Sequence, residues 1–192
     1  ALSDKARRQI AEAFGAQGAD IVFTSGATEA AALALAPFAD LPLELRGYRE
    51  DDPEDAEPSV MGLRDVSQTI IASDLEHDCV RAWVSGRWHR LQPGPSGQIH
   101  WGRLSSLRLA PDARVVVAVQ AANSETGVLQ RTDKVAEALA EITPRPLLLV
   151  DAVQVAGKLP WAFNWSGADM ALISAHKFGG PKGVGALILR QG

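Results

Sequence analysis

Apolar residues in this chain fall either in short unbroken runs or at helical spacings. Val115-Val116-Val117-Ala118-Val119 and Leu147-Leu148-Leu149-Val150 are uninterrupted, the pattern of parallel strands covered on both faces. Ile21 to Thr24, Thr69 to Ala72, Ala171 to Ile173 and Val184 to Leu189 predict further strands, with shorter ones at Trp88–Leu91 and Gln98–His100. Between the strands the spacing changes. Ala6, Ile10, Ala13 and Phe14 share one face of a helix that Ser3 is placed to cap. Ala27 to Ala36 is an Ala/Leu-rich helix stopped by Pro37. Helices are also expected at Asp78–Val84, Leu104–Leu109 and Lys134–Ile142. Strands alternating with helices predict an open, mainly parallel α/β sheet.

One stretch breaks the pattern. Residues 40–67 hold Pro42, Gly47, Pro53, Pro58 and Gly62, with Glu50, Asp51, Asp52, Glu54, Asp55 and Glu57 among them. This composition predicts a long solvated loop. The chain carries 19 basic and 23 acidic side chains, a formal charge of −4, so those six carboxylates alone account for its acidity. A net negative chain argues against sequence-independent nucleic-acid binding, which neutralises phosphates with a basic excess. No apolar run reaches membrane-span length, and the charged N-terminus is unlike a signal peptide. The one cysteine, Cys79, excludes an internal disulfide and a CxxC metal site, and leads us to expect a reduced, cytoplasmic setting. The start at Ala1 and the stop just after an apolar run lead us to expect a slice of a longer chain.

In open α/β sheets ligands bind beyond the carboxyl ends of strands, and several polar residues fall there. Thr24-Ser25-Gly26-Ala27-Thr28 joins a strand to a helix and is either an anion-binding turn or an ordinary cap. Asp151 follows four apolar strand residues, as a helix cap or a ligand partner, and Gln154 lies one helical turn on. Ser174-Ala175-His176-Lys177 precedes the turn Gly179-Gly180-Pro181-Lys182-Gly183. A lysine at a strand end beside Ser and His donors suits a Schiff-base amine near a phosphate, with partial burial favouring the neutral form that attacks a carbonyl. The alternative is a solvated surface lysine. Neither Gly-Lys-Ser/Thr nor GxGxxG is present, which removes the main support for a nucleotide site. His77 starts a helix past a strand, Cys79 is expected in or near the core, and His89 and His100 lack metal-ligand spacing.

Phe23 to Ala30, Glu76-His77, Asn123 to Val128, Val150 to Lys158 and Ser174 to Leu187, in this order, resemble the cysteine desulfurase group of class-V aminotransferase-like enzymes. These are pyridoxal-phosphate (PLP) proteins of fold type I. The resemblance implies a three-layer α/β/α large domain spanning 1–192. It implies Lys177 as the Schiff-base lysine, Asp151 as partner of the pyridine nitrogen, and Gln154 on the ring hydroxyl. Ala27, Thr28, Ser174 and His176 would hold the phosphate, and His77 would stack on the ring and assist proton transfers. Ser124 stands where the family commonly has a ring-contacting Asn.

The implied reaction converts L-cysteine to L-alanine, passing sulfur to an enzyme cysteine and onward to an acceptor protein. Iron–sulfur cluster assembly is one destination. The family's persulfide cysteine and substrate-carboxylate arginine belong to a C-terminal small domain absent from 1–192, so this chain alone is expected to be inactive. Cys79, two residues past His77, does not match that cysteine. The resemblance further implies a homodimer, while ligand spacing, charge and hydropathy lead us to expect no metal and no nucleic-acid or membrane partner. The competing readings are a selenocysteine lyase or another class-V aminotransferase, and, from a different class, a non-catalytic dimerisation or partner-binding domain.

Overall fold

A computed structural model describes residues 2–39, 68–84, 90–107 and 109–192; the expected loop at 40–67, and His89, lie outside them. The strands are β1 (Asp20–Thr24), β2 (Gln68–Ser73), β3 (Arg90–Leu91), β4 (Arg114–Gln120), β5 (Leu147–Asp151), β6 (Met170–Ser174) and β7 (Gly185–Leu189). They form one sheet in the order β1-β7-β6-β5-β4-β2-β3. Every pairing is parallel except the two that β7 makes, with β1 and β6. Since β7 is reversed against both neighbours, β1 runs the same way as the rest. The expected α/β class with a mainly parallel sheet is therefore the observed one.

Alternation along β4 explains the layers. Val115, Val117 and Val119 pack on one face with α1 (Leu2–Ala13), α4 (Thr132–Ala140) and α5 (Phe163–Ser166), through Ile10, Val135, Leu139 and Phe163. Val116 and Ala118 pack on the other face with α2 (Ala27–Leu35) and α3 (Asp78–Arg81), through Ala30, Ala31, Ala34 and Val80. The unbroken apolar runs are thus strands buried on both sides. Among the described residues no helix is long and apolar enough to cross a membrane.

Several local expectations shift. Ser3 lies inside α1, which already begins at Leu2, so it caps nothing. The helix expected to reach Val84 ends at Arg81 and continues as two tight turns, Trp83 N–H to Val80 O and Val84 N–H to Arg81 O. The strand expected at Gln98–His100 is a single bridge between Pro93 and Ile99. Leu104–Leu109 gives way to a 3-10 helix at Trp101–Ser106. Helix α5 was not foreseen. Only four residues long, it ends at Gly167, whose φ of 71° is left-handed and whose α-hydrogen faces the Ala136 methyl group too closely for a side chain.

This topology gathers the site. Thr24, Ser73, Gln120, Asp151 and Ser174 all end strands at the same sheet edge. Gly185 begins β7 there, paired with both Thr24 and Ser174.

Candidate active site

A cavity of roughly 490 Å³ opens at this edge. Its walls come from the loops after β1, β2, β4, β5 and β6 and from the turn before β7. Every expected site residue lines it: Ala27, Thr28, His77, Ser124, Asp151, Gln154, Ser174, His176 and Lys177.

The β1–α2 turn presents the start of a helix. Gly26 precedes α2, and Ala27 and Thr28 occupy its first turn, where N–H groups lack partners within the helix and the dipole favours an anion. The turn is braced from behind. Thr24 Oγ1 donates to the Gly26 carbonyl at 2.9 Å and Ser25 N–H to the Glu29 carboxylate at 2.7 Å, a bond that holds the exposed Glu29 carboxyl below its usual range. On the far side, Ser174 Oγ lies 2.9 Å from His176 Nδ1. Ser174 is buried, whereas His176 and Lys177 stand exposed on a 3-10 turn, Ala175–Lys177. The partial burial expected for Lys177 is not found: the turn lifts it to the cavity rim.

Of the two alternatives for Asp151, the structure shows the capping bond and leaves the carboxyl facing the cavity. It accepts the Val153 N–H at 3.0 Å through Oδ1, capping the turn, while it also forms part of the cavity wall. It is 8% exposed. Burial pushes its carboxyl up, against the pull of the Val153 N–H and of the charges on His77 and Lys177. Gln154 accepts from Lys158 Nζ through Oε1 at 2.8 Å, which leaves the amide nitrogen as its donating end. His77 caps α3 by accepting the Cys79 N–H on Nδ1 at 3.2 Å, so Nε2 carries the proton of the neutral ring.

Asn123 is spent on structure: Oδ1 accepts from Glu125 N–H, Thr126 N–H and the Thr126 hydroxyl. Its neighbour Ser124 is the residue that reaches the wall. Cys79 is buried, as expected, and its thiol is pushed up to about 12, by burial first and then by Asp151. Gln120, Val153 and Lys182 also line the cavity and were not singled out beforehand. Lys182 had a signal, the Gly-Pro-Lys-Gly turn; Gln120 had none, because only strand pairing sets it opposite Asp151. Among the described residues no cluster of His, Cys, Asp or Glu is arranged to hold a metal ion.

A helix start and a Ser–His pair for an anion, a buried carboxylate for a cationic ring nitrogen, and an accessible amine for an aldehyde are the donor set PLP requires. The residues present fit it. The open α/β sheet brings these groups together at its carboxyl edge.

The family model for aminotransferase class-V matches residues 62–192, and the chain belongs to that family. A cysteine desulfurase of Frankia sp. (strain EuIK1) is 39% identical over 188 residues, covering 97% of this chain and 42% of the relative. Among solved structures, a NifS-like protein aligns with a TM-score of 0.74 at 28% identity, over 98% of this chain and 47% of its own. SspA in complex with cysteine aligns with a TM-score of 0.70 at 27% identity, over 95% and 47%. This chain thus spans under half the length of the proteins it matches.

Proposed function

We propose that residues 1–192 form the PLP-binding large domain of a cysteine desulfurase, an enzyme that releases L-alanine from L-cysteine and passes the sulfur to a cysteine of its own. The observation that carries this reading is the meeting of Lys177, Asp151 and His77 with the α2 start in one cavity, in a chain whose relative from Frankia bears that enzyme name. PLP supplies, when bound, an electron sink for the carbanion formed at an amino acid's α-carbon.

The chain's residues do the rest. The first-turn N–H groups of Ala27 and Thr28, the Thr28 hydroxyl, Ser174 and His176 would hold the phosphate. Asp151 would keep a proton on the ring nitrogen, and Gln154 would donate its amide N–H to the ring oxygen. His77 would contact the ring and move protons at Nε2. Lys177 would provide the amine, and Ser124 would form part of the wall around the ring. In the intact enzyme the same reading implies a cytoplasmic homodimer that delivers sulfur to an acceptor protein, iron–sulfur assembly being one use.

The test is spectroscopic. PLP added to the purified protein gives the visible absorbance band of a lysine-bound cofactor, and Lys177→Ala abolishes it. No band in the wild type, or the same band in Lys177→Ala, sinks the assignment.

A further inference from the structure

The turn before His77 carries a carboxyl group that none of these roles uses. Glu76 is 3% exposed. Ser73 Oγ donates to its Oε1 at 3.0 Å, while Oε2 has no hydrogen-bond partner among the described residues. The turn is tied to the end of β4: the Leu75 carbonyl accepts from Gln120 Nε2 at 2.7 Å and from Asn123 Nδ2 at 3.1 Å. Gln120 in turn pairs with Asp151 across the sheet, and Ala121 N–H donates to the Asp151 carbonyl at 2.8 Å. Glu76 therefore sits behind the wall that carries Asp151, on the turn after β2, with β4 between that strand and β5.

A buried carboxyl group ionises only where partners hold its charge. The surroundings of the two groups differ in this. Asp151 has the Val153 N–H and feels the positive character of His77 and Lys177. Glu76 faces Asp151 from β5 and Cys79 from α3, with the Gln120 main chain and the Ser73 hydroxyl as its only help. Burial, reinforced by Asp151, pushes the Glu76 carboxyl up to about 8. The unpartnered oxygen tells the same story, since a buried anion with one bare oxygen is far costlier than a neutral acid.

We infer that Glu76 is a positioning residue of the cofactor site, carried as the neutral acid, which braces the turn that presents His77 to the cavity. Its bond from Ser73 Oγ closes that turn on itself, while the Leu75 carbonyl ties the turn to β4. This inference rests on the PLP reading for its cofactor measurement only.

The variants are Glu76→Gln, which keeps shape and neutrality, and Glu76→Ala, which removes the anchor. Glu76→Asp, which draws the acid back, serves where Glu76→Ala does not fold. In cofactor-free protein the folded state holds this proton above the ordinary value of 4.5, where the unfolded chain releases it. Wild-type stability is therefore lost as pH rises from 4.5 to about 8. The thermal midpoint of Glu76→Gln should gain on the wild type across that window. The infrared carbonyl band of a protonated carboxylic acid, present in the wild type at neutral pH, should vanish in Glu76→Gln. PLP affinity should fall by about tenfold or more in Glu76→Ala and be restored by Gln.

A pH-independent difference in midpoint, with no infrared band lost, overturns the neutral acid. Wild-type PLP affinity in Glu76→Ala or Glu76→Asp overturns the positioning role. If the wild type shows no PLP absorbance at all, the cofactor reading fails, and the first two measurements still decide the state of Glu76.

Discussion

At the scale of single residues, the site assigns each group its chemistry by what surrounds it. Cys79 lies on the cavity wall, yet burial beside Asp151 and Glu76 holds its thiol near 12, and the thiolate is the reactive form. It should therefore resist a thiol-specific disulfide reagent at neutral pH in the folded protein and react at once when the protein is denatured. Rapid labelling of the native protein would show that Cys79 is open to attack and would make it a candidate sulfur acceptor. Burial pushes the Asp151 carboxyl up as well, but the Val153 N–H and the charges on His77 and Lys177 pull it the other way. Asp151→Asn keeps the shape and removes the carboxyl group. It should weaken PLP affinity by about tenfold or more, read by absorbance titration; unchanged affinity would detach Asp151 from the ring nitrogen.

Elements set the distances between these groups. Gly185 starts β7 where β1 and β6 end, and a side chain there would stand 2.7 Å from the Gly26 Cα and 2.8 Å from the Ile173 carbonyl. These are main-chain atoms that rigid strands do not yield. Gly185→Ala should destabilise the fold by about 1–3 kcal/mol and also loosen the α2 start, so the thermal midpoint and PLP affinity fall together. A midpoint drop with intact affinity would mean the α2 start tolerates the shift. The strands were legible beforehand because unbroken runs such as Val115–Val119 read one way only. Elements held by a few contacts were not. Helix α5 rests on Phe163 and a left-handed glycine, and the single bridge at Pro93–Ile99 has no periodicity to betray it. For the site, Lys177 and Asp151 stood out as polar residues following apolar strands, and family resemblance joined them. Gln120 gave no such signal, since its place depends on strand register; Glu76 stood in the Glu76-His77 stretch of the resemblance, but its burial depends on a turn folding under β4.

At the scale of the whole molecule, charge and content bear on what the chain does alone. The chain's net charge is −4, yet the described cavity wall carries one acid against Lys177 and Lys182. The six carboxylates at 50–57 that make the chain acidic lie outside the described residues, so the overall charge does not describe the ligand of this cavity. Content constrains the reaction further. A desulfurase needs a thiolate that reaches the substrate sulfur, and the 192-residue chain has one cysteine, buried and held protonated. The chain alone should thus produce no alanine from L-cysteine above the level of free PLP, even while it shows the lysine-bound absorbance band. The assay is alanine release with PLP and cysteine present, with Lys177→Ala as the blank. Alanine release that is lost in Lys177→Ala but survives Cys79→Ala would show sulfur passing to the thiol of a second cysteine molecule as its persulfide, and would overturn the requirement for an enzyme cysteine. Loss in both variants would instead place the acceptor at Cys79, against the burial and the raised thiol seen at that position.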